Sequence, residues 1–209
     1  MAFKYIKRNI DKELFLWKNS KRRKPLLLRG ARQVGKSSTV RELGKQFDSF
    51  IEVNFERDNK ELNINSVFER GLSPERICEE LSVIYNSPII PGKTLLFFDE
   101  IQQCLPAISS LRYFYEEMGD LHVVAAGSLL EFALQELPSF GVGRIRSMFL
   151  YPFSFDEFLR ASEMEMLADT VLNASSDQPL SDALHSQSLH HLLRFILIGG
   201  MPEVVATYV

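Results

Sequence analysis

One octapeptide constrains this chain more than any other feature. Gly30-Ala31-Arg32-Gln33-Val34-Gly35-Lys36-Ser37 fits the pattern G-x-x-x-x-G-K-[ST] without mismatch. It follows a short apolar run, Pro25–Arg29, of the kind a buried strand needs, and precedes a helical stretch from Lys36 to about Phe47. The glycines allow a tight bend in which successive backbone N–H groups converge on one hollow. The helix behind them adds unpaired amides and the positive end of its dipole. A hollow of this kind suits a nucleotide phosphate. Lys36 is expected to reach the β- and γ-phosphates and the Ser37 hydroxyl to ligate Mg²⁺, with Ser38 completing the loop. A chance match in a chain this long has odds of about one in a hundred from average residue usage.

The second half of such a site is legible at Leu95-Leu96-Phe97-Phe98-Asp99-Glu100. An apolar strand here delivers two acids at its carboxyl end. Asp99 is the candidate metal ligand, and Glu100 the candidate catalytic carboxylate that orients and polarises a water for attack on the γ-phosphate. Leu121–Ala126 reads as a further strand stopped at Gly127-Ser128. Ser128 is then placed to sense the γ-phosphate or the attacking water, or simply to cap the helix expected over 129–135. Arg144, after Gly143 and the loop from Ser139, is either an arginine that neutralises transition-state charge, in cis or across a subunit contact, or a surface ion pair. Arg146 is a weaker candidate for the same role.

The remaining sequence supplies the frame. Strands are expected at Pro25–Arg29, Ser49–Asn54, Thr94–Phe98, Leu121–Ala126 and Arg144–Tyr151, alternating with helices that include 10–18, one opened by Ser73-Pro74, and Leu105–Glu117. That order indicates an α/β fold with a parallel five-stranded sheet covered by helices on both faces. Ser154 and Glu157 form a capping box that opens another helix. Asn173–Asp182 reads as a polar loop, helix resumes over 190–198, and Pro202 starts a last helix after Gly199-Gly200. The chain divides into a basic, helical segment (1–24), a core (25–160) and a helical region (161–209).

Charge and composition narrow the setting. Residues 1–46 hold fourteen Lys or Arg against three acids, while the whole chain of 209 residues carries −3. This asymmetry suits an end that faces nucleic acid; the alternative is that Lys21-Arg22-Arg23-Lys24 is a solvated turn before the strand. There is no apolar run of membrane-spanning length and no secretory signal pattern. The two cysteines, Cys78 and Cys104, lack metal-ligand spacing and read as reduced. A cytoplasmic protein without membrane contact is expected. The four histidines form no metal-binding pattern, and Phe149, Phe153, Phe155 and Phe158 read as a core cluster rather than a base-stacking platform.

Taken together these motifs resemble a bacterial and archaeal family of AAA+-like P-loop ATPases. The resemblance rests on the Arg32-Gln33-Val34 interior of the loop, Phe98-Asp99-Glu100-Ile101-Gln102, Gly127-Ser128-Leu129-Leu130, Gly143-Arg144, the segment Leu150–Phe158 and Gly199-Gly200-Met201-Pro202-Glu203. It implies a sheet with the phosphate-loop strand central and an extra strand between the two motif strands. It also implies ATP and Mg²⁺ as ligands and the roles given above to Lys36, Ser37, Asp99, Glu100 and Ser128. Members of the family usually continue into a helical lid and a nuclease-like C-terminal domain, so residues up to Val209 are expected to form only the start of the lid. The residues fit an ATP-driven switch best. A nucleotide-gated binding module with little turnover and a P-loop phosphotransferase are the alternatives, and self-association through Arg144 belongs with the first.

Overall fold

A computed structural model describes residues 5–21, 23–128, 130 and 143–209. The helix expected over 129–135 and the loop before Gly143 lie outside the described residues. Five strands run parallel in one sheet: β1 (Leu26–Arg29), β2 (Ser49–Asn54), β3 (Thr94–Asp99), β4 (His122–Ala126) and β5 (Arg146–Phe149). Their spatial order is β2-β3-β4-β1-β5. The extra strand β4 therefore separates β1 from β3, as the family resemblance implies. The phosphate-loop strand is not central, however: β4 takes the middle and β1 lies one place in from the β5 edge.

Alternation along the buried strands feeds two cores, one on each face. Leu27, Leu96, Phe98, Val123 and Ala125 face one cluster. It is closed by α4 (Asn65–Glu69), α5 (Pro74–Ile84) and α6 (Leu105–Glu117), and holds a chain of edge-to-face rings, Phe55, Phe68, Phe98 and Phe114. Both cysteines are buried in this cluster as free thiols. Leu26, Leu28, Leu95, Phe97, Val124 and Ala126 face the other cluster. Here α1 (Ile10–Lys18) buries Ile10, Leu14 and Trp17, and α2 (Lys36–Gly44) buries Val40 and Leu43. The N-terminal helix thus packs into the core of the sheet.

Several boundaries moved for local reasons. The helix α2 stops at Gly44 rather than near Phe47, because the next three amides bond only three residues back. The strand β5 is limited to four residues by the four of β1 that it pairs with. On this edge strand Met148 turns inward and Phe149 outward, so Phe149 leaves the expected aromatic cluster. It is 47% exposed, stacks on Tyr151 and lies beneath the Arg29 guanidinium. Two short helices, α3 (Arg57–Leu62) and α4, were not expected.

The C-terminal part is helical: α7 (Phe155–Ala161), α8 (Glu165–Asn173), α9 (Asp182–Ile198) and α10 (Pro202–Tyr208). The capping box is formed, with Ser154 N donating to Glu157 Oε2 at 3.0 Å. The helix α9 begins eight residues earlier than expected, where Ser181 Oγ accepts from Leu184 N. Phe153, Phe158 and Val205 form a small core of their own, to which Ile6 from the N-terminal segment adds. Among the described residues no helix is long and apolar enough to cross a membrane.

Candidate functional site

The chain after β1 turns sharply because it has to clear β5. Gly30 has φ of +153°, and a Cβ there would stand 2.2 Å from Leu150 O, so only glycine fits. Gly35 caps α2 in the left-handed region at φ +96°. Between them the loop exposes Ala31, Arg32 and Gln33, while Val34 buries its side chain in the core beneath. The loop is thereby pinned from below, and its backbone arches over the start of α2.

Lys36 is largely buried under this arch. Its Nζ donates to Gly30 O at 3.0 Å and Ala31 O at 2.8 Å. Burial lowers its pKa, opposed by the nearby charges of Glu100 and Asp99. Ser37 Oγ donates to Asp99 Oδ2 at 2.9 Å, which brings the loop and the end of β3 into contact across 62 residues of chain. Asn54, at the end of β2, donates from Nδ2 to the same carboxylate oxygen at 3.3 Å. Burial pushes the Asp99 carboxyl up, partly offset by the Ser37 hydrogen bond and reinforced by Glu100. Both buried charges are therefore held against their preference. A divalent cation and a polyphosphate would relieve both, and the hydroxyl and carboxylate oxygens of Ser37 and Asp99 are the hard donors that Mg²⁺ takes.

A cleft of about 740 Å³ opens beside this cluster, lined by Lys36 and Ser37 with Asp99 behind them. Arg32, Gln33, Gly35, Lys36, Ser37 and Ser38 form its floor, with Glu100 and Ser128 at one side. Tyr5, Ile6, Phe153, Pro202 and Ala206 supply an apolar wall drawn from both termini. A volume of this size, lined by the phosphate-loop residues together with apolar side chains, is large enough for a nucleotide, and Pro202 packs close to Gly35 of the loop.

Arg144 is not brought to this cleft. It precedes β5, at the amino end of the sheet, and forms an ion pair with Glu116 at the end of α6. The strand β5 alone spans roughly 10 Å at 3.3 Å per residue, and the phosphate loop lies beyond its far end. Arg146 is equally remote and pairs loosely with Glu13 at 3.8 Å. The cationic N-terminal segment also finds partners within the chain. Arg23 donates to the carbonyls of Lys18, Ser20 and Asp120, and Arg41 makes a double hydrogen bond to Glu52.

Arg8 is the residue the motifs did not reveal. It is 7% exposed and stacks on Phe153 at 4.2 Å. Its guanidinium donates to Val34 O in the phosphate loop, to Tyr151 O, and to both oxygens of Glu157. Next to it, Asn9 N donates to Glu157 Oε1 at 2.6 Å. The N-terminal segment therefore straps the loop to the start of α7. The only local hint was the Glu157 capping box, whose carboxylate has this second task.

A phosphate-cradling loop ahead of a helix, facing an acid at the end of a strand two places away in a parallel sheet, defines a P-loop NTPase. Residues 22–159 match the AAA domain family, and the chain belongs to it. A search of curated proteins found no match. Among solved structures, the Walker-type ATPase paby2304 of Pyrococcus abyssi shares 18% identity with a TM-score of 0.54, covering 97% of this chain and 66% of that one. The ORC2 protein of Aeropyrum pernix, solved with ADPNP and ADP, shares 13% identity with a TM-score of 0.50, covering 90% and 70%. At these identities the likeness is one of fold. The chain spans just under two thirds of the Pyrococcus abyssi protein.

Proposed function

We propose that this chain binds ATP with Mg²⁺ in the cleft between the phosphate loop and β3, and hydrolyses it. The observation that carries the reading is the contact of Ser37 with Asp99, beside which Glu100 lines the same cleft. In this reading the loop amides and Lys36 bind the β- and γ-phosphates, with Lys36 exchanging its loop carbonyls for phosphate oxygens. Ser37 and Asp99 would hold Mg²⁺, which would supply neutralisation of the phosphate charge. Glu100 accepts a proton from a water whose oxygen attacks the γ-phosphorus. The bond from that phosphorus to the β–γ bridging oxygen breaks, ADP leaves, and the products are ADP, inorganic phosphate and the released proton. Ser128, which lines the same cleft as Glu100, would supply a polar contact to the γ-phosphate or the attacking water. Arg144 takes no part within one copy; a contribution would require a second copy of the chain.

Hydrolysis in this cleft would bear on the C-terminal helices, because Pro202, Glu203 and Ala206 of α10 line it and Pro202 lies close to Gly35 of the loop. The fitting function is a switch in which nucleotide state sets the position of the region 161–209 against the core. The test is turnover by wild type and Glu100→Gln. The variant should bind ATP normally and lose about 100-fold or more in kcat, the lower range for a positioned general base. Equal turnover would remove Glu100 from the chemistry. Tight ATP binding by the wild type with no turnover at all would favour the nucleotide-gated binding module instead.

A further inference from the structure

Gln102 follows Glu100 by two residues and belongs to no assigned role. Glu100 occupies the left-handed region, at φ +51° and ψ +41°, which turns the chain out of β3 into the single 3₁₀ turn Ile101–Gln103. This turn folds Gln102 back on Glu100, so that Gln102 Nε2 donates to Glu100 Oε2 at 2.5 Å. The other edge of the same amide is stopped by β4. A Cβ on Gly127 would stand 2.1 Å from Gln102 Oε1 and 3.2 Å from its Cδ. Gly127 has no left-handed φ that would call for glycine. Its missing side chain is instead the space in which the Gln102 amide sits. The amide is thus wedged between the ends of β3 and β4, directly before Ser128.

We infer that Gln102 is a positioning residue for Glu100, and that Gly127 is glycine in order to admit it. This rests on the hydrolysis reading above. A glutamate side chain has three rotatable bonds and, half-exposed at a cleft wall, no fixed direction of its own. The Gln102 amide occupies one carboxylate oxygen and leaves the other to take the proton from the attacking water. Holding a reacting group in one geometry contributes to the chemical step and not to nucleotide affinity, since neither Gln102 nor Gly127 lines the cleft.

Two variants reach the same contact from opposite sides. Gln102→Met keeps the length of the side chain and removes both polar atoms. Gly127→Ala leaves Gln102 intact; its methyl group would meet Gln102 Oε1 at 2.1 Å and Leu130 Cγ at 3.0 Å, so the flexible amide is displaced while Leu130 gives by a few tenths of an ångström. Each should lower kcat about ten-fold while ATP affinity stays within about two-fold of wild type, the split expected for a group that acts only in the transition state. The double variant should be no slower than either single one, because one contact cannot be lost twice. Wild-type kcat in either variant, equal losses in affinity and turnover, or losses that multiply in the double variant would overturn the inference. Glu100→Gln measured alongside separates the two claims. If it is inactive while Gln102→Met is fully active, only the role of Gln102 fails. If it turns over like wild type, or if wild type does not turn over, the hydrolysis reading falls and this inference with it.

Discussion

At the carboxyl end of the sheet Lys36 and Asp99 are buried, and burial disfavours the charge on each. At the amino end of the same strands the polar groups turn to neighbouring chain: Arg144 pairs with Glu116, Arg23 donates to three backbone carbonyls, and His122 Nε2 lies 3.1 Å from Lys18 O, although Arg23 Nε and His122 Nδ1 are buried without a hydrogen-bond partner. The loops at one end come from the phosphate-binding pattern and leave amides and charges turned toward a cleft. Those at the other end close on neighbouring chain. The contrast teaches where each kind of substitution should be felt. Changes at the carboxyl end should alter ligand binding more than folding, and changes at the amino end the reverse.

Arg8 is the residue most able to break that division, because it lies at the carboxyl end yet is held as a structural ion pair. Arg8→Ala strips Glu157 of its buried partner and frees Val34 O. Removing one member of such a pair costs about 3–5 kcal/mol. Chemical denaturation should show a loss of that order, accompanied by weaker ATP binding as the loop loses its strap. A stability change under 1 kcal/mol, roughly that of a surface pair, would mean that the strap is dispensable.

His122 sharpens the comparison from the amino end. It packs edge-on to Trp17 and Phe47, and burial lowers its pKa to about 4, assisted by the nearby charges of Arg23 and Lys18 and opposed by the Lys18 carbonyl and Asp120. Above an unfolded value near 6.5 the ring is neutral in both states and contributes no pH dependence. As pH falls from about 6.5 to about 4 the unfolded chain takes up a proton that the folded chain refuses, so stability declines; below that both are protonated and the decline stops. The loss is on the order of 2 kcal/mol after allowing for partial solvation. Thermal unfolding across this range should fall more steeply in wild type than in His122→Leu, with nucleotide affinity at neutral pH alike in both.

The smallest effect belongs to Arg144. Its half-exposed pair with Glu116 should be worth no more than about 0.5 kcal/mol. Arg144→Ala should leave both stability and ATP hydrolysis by a single copy unchanged. Slower turnover that deepens with protein concentration would instead place this arginine on a neighbour's nucleotide.

The parts legible in the sequence are those fixed by short-range pattern. Gly30–Ser37 and Phe98-Asp99-Glu100 each carry their meaning within a few residues, and the strands buried on both faces announce themselves as short unbroken apolar runs. What escaped depends on distance or on weak periodicity. Arg8 meets Glu157 across 149 residues, and no local spacing announces that pair. Of the seventeen residues of α9 only Ser188 and His191 are buried, so the apolar stripe that marks a helix is missing from its first half. The helix α3 is only six residues long and is anchored by buried Asp58, which accepts from Asn54 N and the Tyr85 hydroxyl rather than by an apolar face. Phe149 leaves the aromatic cluster because sequence places residues along a strand but not which edge of the sheet they occupy, and of the two readings open for Arg144 the structure shows the ion pair.

The central claim is that the carboxyl end of the sheet is a nucleotide site built around Lys36. It is tested most directly by titrating ATP with Mg²⁺ into wild type and Lys36→Ala, with thermal unfolding of the nucleotide-free proteins as control. Wild type should bind, and Lys36→Ala should lose about 100-fold or more in affinity, the scale of a buried charge-assisted contact, while unfolding at nearly the same temperature. Equal affinity in the two proteins would contradict the assignment of this cleft.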